Sequence, residues 1–210
     1  MEHRILTSMC VIAVLAALTT LRHGRLAAQS PASAAKSPHP LILQENEGEH
    51  LLRRPGGPIA AAAASVPEFI IKIDEQNGNA EDFLVSTEIM SPGGVIPFHK
   101  HLNSEEILVL EEGGAAVTVG DLRGIAGPHS VVFIPRDTWV SVTNTGKNSI
   151  HIYGLFSRQG FENFFRARSV HPGEPLTPLT PEEVRGAAEK GHAMVWDTSK
   201  GPYPPGVAHP

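Results

Sequence analysis

From Phe69 onward the chain alternates short apolar runs with turn residues. FIIKI (69–73) runs to Asn77-Gly78, and FLVSTEIM (83–90) stops at Ser91-Pro92-Gly93-Gly94. ILVLE (107–111), AAVTV (115–119), VVFI (131–134), VSV (140–142) and IHIYGLF (150–156) follow. Gly113-Gly114, Gly120-Asp121 and Asn144-Thr145-Gly146 mark turns among them. Runs this short, rich in β-branched residues and bounded by Gly, Pro, Asn and Asp, predict strands. Roughly seven or eight strands with no helical pattern between them predict an all-β fold, a sandwich, barrel or jelly roll. Pro97 and Pro135 are expected at strand ends or edges, where a missing N–H is tolerated.

The period changes after Ser157. Phe161, Phe164 and Phe165 stand at helical spacing, so a short amphipathic helix is expected to pack them against the barrel. Thr180-Pro181-Glu182-Glu183 then offers an N-cap, a proline at the first helical position and a glutamate three past the cap. A second helix is expected from there to about Lys190, closed by Gly191.

Both ends of the chain read differently. Residues 5–21 are an apolar run after a basic start, and small residues follow, which is the pattern of a secretory signal with a cut after Ala28. Near the lower limit of about 17 residues for a bilayer span, a retained membrane anchor is the alternative. Residues 29–65, rich in Ala, Pro, Ser and Gly, read as a linker in which Leu41-Ile42-Leu43 forms an extended piece able to join a sheet edge. The organisation expected is a signal peptide over 1–28, this linker over 29–65, a barrel over 66–158, a helical appendage over 159–192 and a flexible tail over 193–210.

Charge narrows the partners. The net charge of −5 leaves no basic footprint, so nucleic acid is excluded as an expected partner. Loss of residues 1–28 removes a net +2 and the single cysteine, Cys10, so the exported chain would stand at −7 with no disulfide to stabilise it. A secreted or periplasmic location is the expectation, with no stable membrane span in the mature form. The sequence has no Gly-rich phosphate loop followed by Lys and no G-x-S-x-G elbow.

The candidate chemistry lies in GGVIPFHKHLNSEEILVLEEGG, residues 93–114. On a strand, residues two apart share a face, so His99 and His101 project together and Lys100 projects the other way. Two imidazoles inside a barrel need partners, and Glu106, after a short turn, is within reach of both. Imidazole and carboxylate together suit Fe, Mn, Ni, Cu or Zn. A hydrogen-bonded polar cluster without metal is the alternative.

Gly93, five residues, His99, one residue, His101, four residues, Glu106, six residues, Gly113: this spacing resembles the first motif of the cupin superfamily. PRDTWVSVTN (135–144) resembles the second motif, with Asp137 where glycine is usual and Val140 where the family's histidine stands. The resemblance spans roughly residues 69–156 and implies a cupin-type jelly-roll β-barrel with one or two short C-terminal helices. It also implies a divalent transition metal in the barrel mouth, held by His99, His101 and Glu106, and a small-molecule ligand. Small cupins commonly pair, so a homodimer is expected. Dioxygenase or isomerase chemistry is the enzymatic expectation; the missing ligand at Val140 favours a non-catalytic ligand-binding or structural cupin with a vestigial site. No catalytic base is identifiable.

Two further histidines bear on the missing ligand. His151 lies on the last barrel strand in an unfixed register, and His129 lies in a turn where solvent exposure is expected. Glu105 should point away from Glu106. Trp139, Phe98, Phe133, Tyr153 and Phe156 are expected as core or cavity lining, and Arg136 as a rim residue.

Overall fold

The computed structural model describes residues 37–57, 67–191 and 194–197. The expected signal peptide (1–28), residues 29–36 and 58–65 of the linker, residues 66, 192 and 193, and the last part of the tail (198–210) lie outside the described residues.

Two sheets face each other. The larger contains β1 (Glu49–Arg53), β2 (Glu68–Ile73), β3 (Leu84–Met90), β5 (Glu106–Glu112), β8 (Val131–Ile134), β10 (Ile150–Phe156) and β11 (Ser169–Val170), in the order β11-β1-β2-β3-β10-β5-β8. The smaller contains β4 (Val95–His101), β6 (Ala115–Val119), β7 (Leu122–Ala126), β9 (Val140–Thr143) and β12 (Met194–Trp196), in the order β12-β4-β9-β6-β7. Every pairing is antiparallel. This is the all-β jelly roll that the alternation of runs and turns predicts, completed by helices α1 (Glu162–Arg168) and α2 (Pro181–Lys190).

Burial follows period two where a sheet faces the core. β10 alternates buried and half-buried over its whole length, burying Ile150, Ile152 and Phe156 and turning His151 outward. One apolar cluster joins Met90, Leu108, Leu110, Val142 and Ile152 between the sheets. A second joins Leu51, Phe69, Ile71 and Phe156 to Phe161, Phe164 and Phe165. Phe165 stacks on Phe69 at 3.9 Å, so α1 closes the barrel core and is no separate appendage.

Four expectations are corrected. Leu41-Ile42-Leu43 is not a strand: the Leu41 side chain packs against the turn at Gly78, and the chain pairs with β2 only from Glu49. The barrel sheet therefore begins within the expected linker. At the other end, β12 lies within the expected flexible tail and pairs with β4, Trp196 opposite His99. Pro97 is inside β4 and not at its end; the register shifts between Ile96 and His99, and that irregularity accommodates the absent N–H.

The α2 capping box is as expected. The Glu183 N–H donates to Thr180 Oγ1 at 3.2 Å and the Thr180 N–H donates to the Glu183 carboxylate at 2.8 Å. Among the described residues no helix is long and apolar enough to cross a membrane.

Candidate metal centre

The site sits where the two sheets are joined. β4 carries His99 and His101 on its buried face, a short turn follows, and Glu106 opens β5 in the opposite sheet. Two turn glycines hold this arc at its ends. Gly93 has φ +72°, and at Gly113, with φ +75°, a Cβ would lie 2.3 Å from Ile150 Cγ2. The spacing from Gly93 to Gly113 thus has a local physical reason at both ends.

His99, His101 and Glu106 each offer one ligand atom, and these atoms lie within 4.8 Å of one another. All three residues are buried. His101 Nε2 and Glu106 Oε2 stand 3.4 Å apart, an ion-pair distance if the ring is protonated but without hydrogen-bond geometry, and each is a buried atom with no hydrogen-bond partner. The facing orphans are a donor set short of its acceptor. An ion at about 2.1 Å from each ligand requires separations up to ~4.2 Å, so small side-chain adjustments close the site.

His99 is already oriented. Its Nδ1–H donates to the Pro97 carbonyl at 2.8 Å, which fixes the tautomer and leaves Nε2 with its lone pair. Burial, reinforced by His101 and opposed by Glu106, pulls the His99 pKa down to about 4. The imidazole is therefore neutral at pH 7, as metal ligation requires. The residues fit a divalent metal held by two imidazoles and one carboxylate.

Val140 lies directly across from His99 in the β4–β9 pairing and is fully buried. The residue at the usual fourth-ligand position therefore faces the site as a hydrocarbon. Asp137 has φ +57°, which explains why glycine also serves there, and its carboxylate pairs with Lys100 at 2.5 Å. Asn144 is a structural residue: its amide donates to the carbonyls of Met90 and Asn148 and its Oδ1 accepts from the Gly146 N–H.

Neither spare histidine replaces the missing ligand. His151 points outward, with Nδ1–H donating to Glu111 at 2.7 Å and Nε2 accepting from the Thr87 hydroxyl at 2.6 Å. His129 is exposed in its turn, as are Glu105 and Arg136. Of the five aromatic residues expected as core or lining, Phe98 and Phe156 are buried, Trp139 lies under Lys100, and Phe133 is 54% exposed on edge strand β8. Tyr153 is on the outer face beside His151.

Three residues around the site were not legible as such. Arg53 and Glu88 form an ion pair at 2.5 Å inside the barrel and line a cavity of about 30 Å³ with His99, Glu106 and Trp196. Burial raises the Glu88 pKa, and the Arg53 guanidinium opposes that shift. Glu88 is in phase with the inward Leu84 and Ser86, which is the signal that could have placed it. Trp196 lies 4.8 Å from the His99 ring, and Phe161 lies 4.7 Å from that of His101. The cavity holds about two or three waters, at ~10–15 Å³ each, so β12 and α1 cover the centre closely.

Comparison with known proteins agrees with this architecture. Residues 86–156, about a third of the chain, match the family model described as the cupin domain. No curated protein matches the chain. A sugar phosphate isomerase of the cupin superfamily from Silicibacter pomeroyi aligns at TM-score 0.50 and 14% identity, over 69% of this chain and 99% of that one. A predicted oxalate decarboxylase from Thermotoga maritima aligns at TM-score 0.41 and 17% identity, over 44% and 80%. At such identity the first likeness speaks for the fold alone, and the second adds no weight. With the motif spacing and the two-sheet barrel, the family match identifies a cupin domain over residues 86–156.

Proposed function

We propose that the protein is an exported cupin that holds one divalent transition metal on His99, His101 and Glu106 and offers the metal's remaining positions to a small organic ligand. The facing pair of buried, unpartnered atoms, His101 Nε2 and Glu106 Oε2, carries this reading. Left without an ion, the two atoms have only a 3.4 Å contact with each other and no hydrogen bond, which offsets their burial poorly. A metal with two histidine ligands and one carboxylate supplies Lewis-acid or redox chemistry with open positions, and dioxygenase or isomerase reactions are the class that fits. Fe, Mn, Ni, Cu and Zn all suit the donor set.

A second reading has its own observations. Val140 puts a hydrocarbon opposite His99, and the cavity is too small for an organic substrate as it stands. A non-catalytic cupin that captures metal weakly, for stability alone, accounts for both. Metal analysis of untagged protein tests the shared premise. One transition metal per chain is expected in the wild type and none in His99→Ala or Glu106→Ala; substoichiometric metal, unchanged in the variants, overturns it. Export and pairing are read separately. The N-terminal sequence of protein recovered outside the cytoplasm should begin at Gln29, and sedimentation should give twice the chain mass.

A further inference from the structure

The exposed apolar surface gathers at one edge of the barrel. Ile107 on β5, Leu122 and Ile125 on β7, and Val131 and Phe133 on β8 are all large hydrophobic residues open to solvent. β8 is the end strand of the larger sheet and β7 the end strand of the smaller. A groove of about 470 Å³ runs between these two open edges, and Arg123 is the one charged residue in its lining. Among the described residues no strand pairs with the free side of either.

β8 reads Val131-Val132-Phe133-Ile134, with no Lys, Pro or Gly inside the strand to discourage pairing at its edge. A sheet face that meets water alternates apolar inward with polar outward. β8 turns Val132 and Ile134 inward, opposite Leu108 and Glu106, and still carries Val131 and Phe133 outward, opposite Val109 and Ile107. With exposures between 37% and 76%, and roughly 150–200 Å² for a whole residue of this size, the five residues leave on the order of 500 Å² of mostly apolar surface per chain. That is the upper end for a monomer, and two such edges together reach the ~1,000 Å² that a specific interface requires.

We propose that this edge is the docking surface for a second copy of the chain, with β8 pairing antiparallel to β8 of the other copy across a two-fold axis. This rests on the pairing proposed above and gives it a face. A two-fold perpendicular to the sheet sets a strand antiparallel to its own copy and keeps outward residues outward, so opposed residues must be of one parity. A register centred on Val132 meets that condition. Val131 then stands opposite Phe133 of the second copy, Val132 opposite its own copy, and Pro135, which has no N–H, falls outside the paired stretch. The same axis sets Leu122 and Ile125 on the β7 edge against their copies. A single added strand from another protein would cover β8 and leave β7 bare, whereas a second copy covers both edges and, being closed by the two-fold, leaves neither for further stacking.

Sedimentation equilibrium of the full-length protein and of its Val131→Lys, Phe133→Lys and Ile89→Lys variants tests the face. The wild type should give twice the chain mass. Each β8 substitution enters the interface twice and should weaken association by about a hundredfold, tenfold per copy. Ile89 is as exposed as Phe133 and lies on β3, away from the edge, so Ile89→Lys should leave association unchanged. All three side chains are in solvent, and far-UV circular dichroism should show each variant folded. Val132→Cys reads the register. Opposed Cα atoms about 4.5–5.5 Å apart are within disulfide reach, so mild oxidation should cross-link two copies once Cys10→Ser removes the chain's own cysteine. A monomeric wild type would overturn both the pairing and its face. A dimer that survives both β8 substitutions, that Ile89→Lys splits equally, or that Val132→Cys fails to cross-link would leave the pairing standing and overturn this assignment.

Discussion

At the scale of single residues the centre turns on Val140. It is fully buried and opposite His99, so a histidine there would share a face with His99 and His101. Val140→His should tighten Co(II) or Zn(II) binding by about tenfold or more, since an added ligand is worth at least what an orienting partner is. Without metal the same variant should lose ~1–3 kcal/mol, because a polar ring replaces a buried hydrocarbon. Calorimetric titration and thermal unfolding with and without metal read the two effects, and an unchanged affinity would show that the opposed side chains do not converge. Gly113 makes the complementary case. Its positive φ and the 2.3 Å approach to Ile150 mean that Gly113→Ala should cost ~1–3 kcal/mol in denaturant unfolding.

Elements differ in how far the sequence discloses them. β2, β3, β5, β6, β8, β9 and β10 were legible because short β-branched runs between turn residues have few other uses. The His99, His101 and Glu106 cluster was legible because period two and a short turn suffice to bring three side chains together. β7 was not, since LRGIA is exposed at four of its five positions and has no inward face to create a pattern. β1 carries Glu49, His50 and Arg53, and β12 is three residues long; both exist because an open sheet edge needs a partner, which is a tertiary fact. The same limit hid Arg53, whose inward position follows from its pairing and not from its polarity. α2 shows the reverse, a local code sufficient in itself. Arg54, then the Thr180 backbone N–H and hydroxyl, hold the Glu183 carboxyl at about 2. A carboxylate with a depressed folded pKa contributes fully above its unfolded value and loses that contribution as pH falls through the folded one. The stability difference between wild type and Glu183→Gln should therefore be constant above about pH 4.5 and vanish toward pH 2. Unfolding measured across that window decides it, and a difference independent of pH would mean that the cap works without its charge.

In the whole molecule, the two ends of the described chain converge on the barrel mouth. β1 brings Arg53 to the cavity, α1 brings Phe161 to His101, and β12 lays Trp196 against His99 across the edge of β4. The last contact is the lightest, three residues paired at an edge and joined to the core through Met194 and the flank of Trp196. Local opening favours segments with few buried contacts, so β12 should open well before the sheets separate. Any ion leaving His99 should then follow the opening of β12 rather than global unfolding. Trp196→Ala keeps the backbone pairing and removes the ring, and a chain ending after Gly191 removes the strand. Loss of Co(II) to excess chelator, followed by absorbance, should be faster in the first and faster still in the second, by roughly tenfold for each ~1.4 kcal/mol of opening free energy removed. Amide exchange should rise in β4 and remain slow in β3, β5 and β10, whose pairings do not involve β12. Chelator loss at the wild-type rate in both variants would place the exit elsewhere, and exchange rising equally in both sheets would make β12 part of the global fold rather than a cover on the centre.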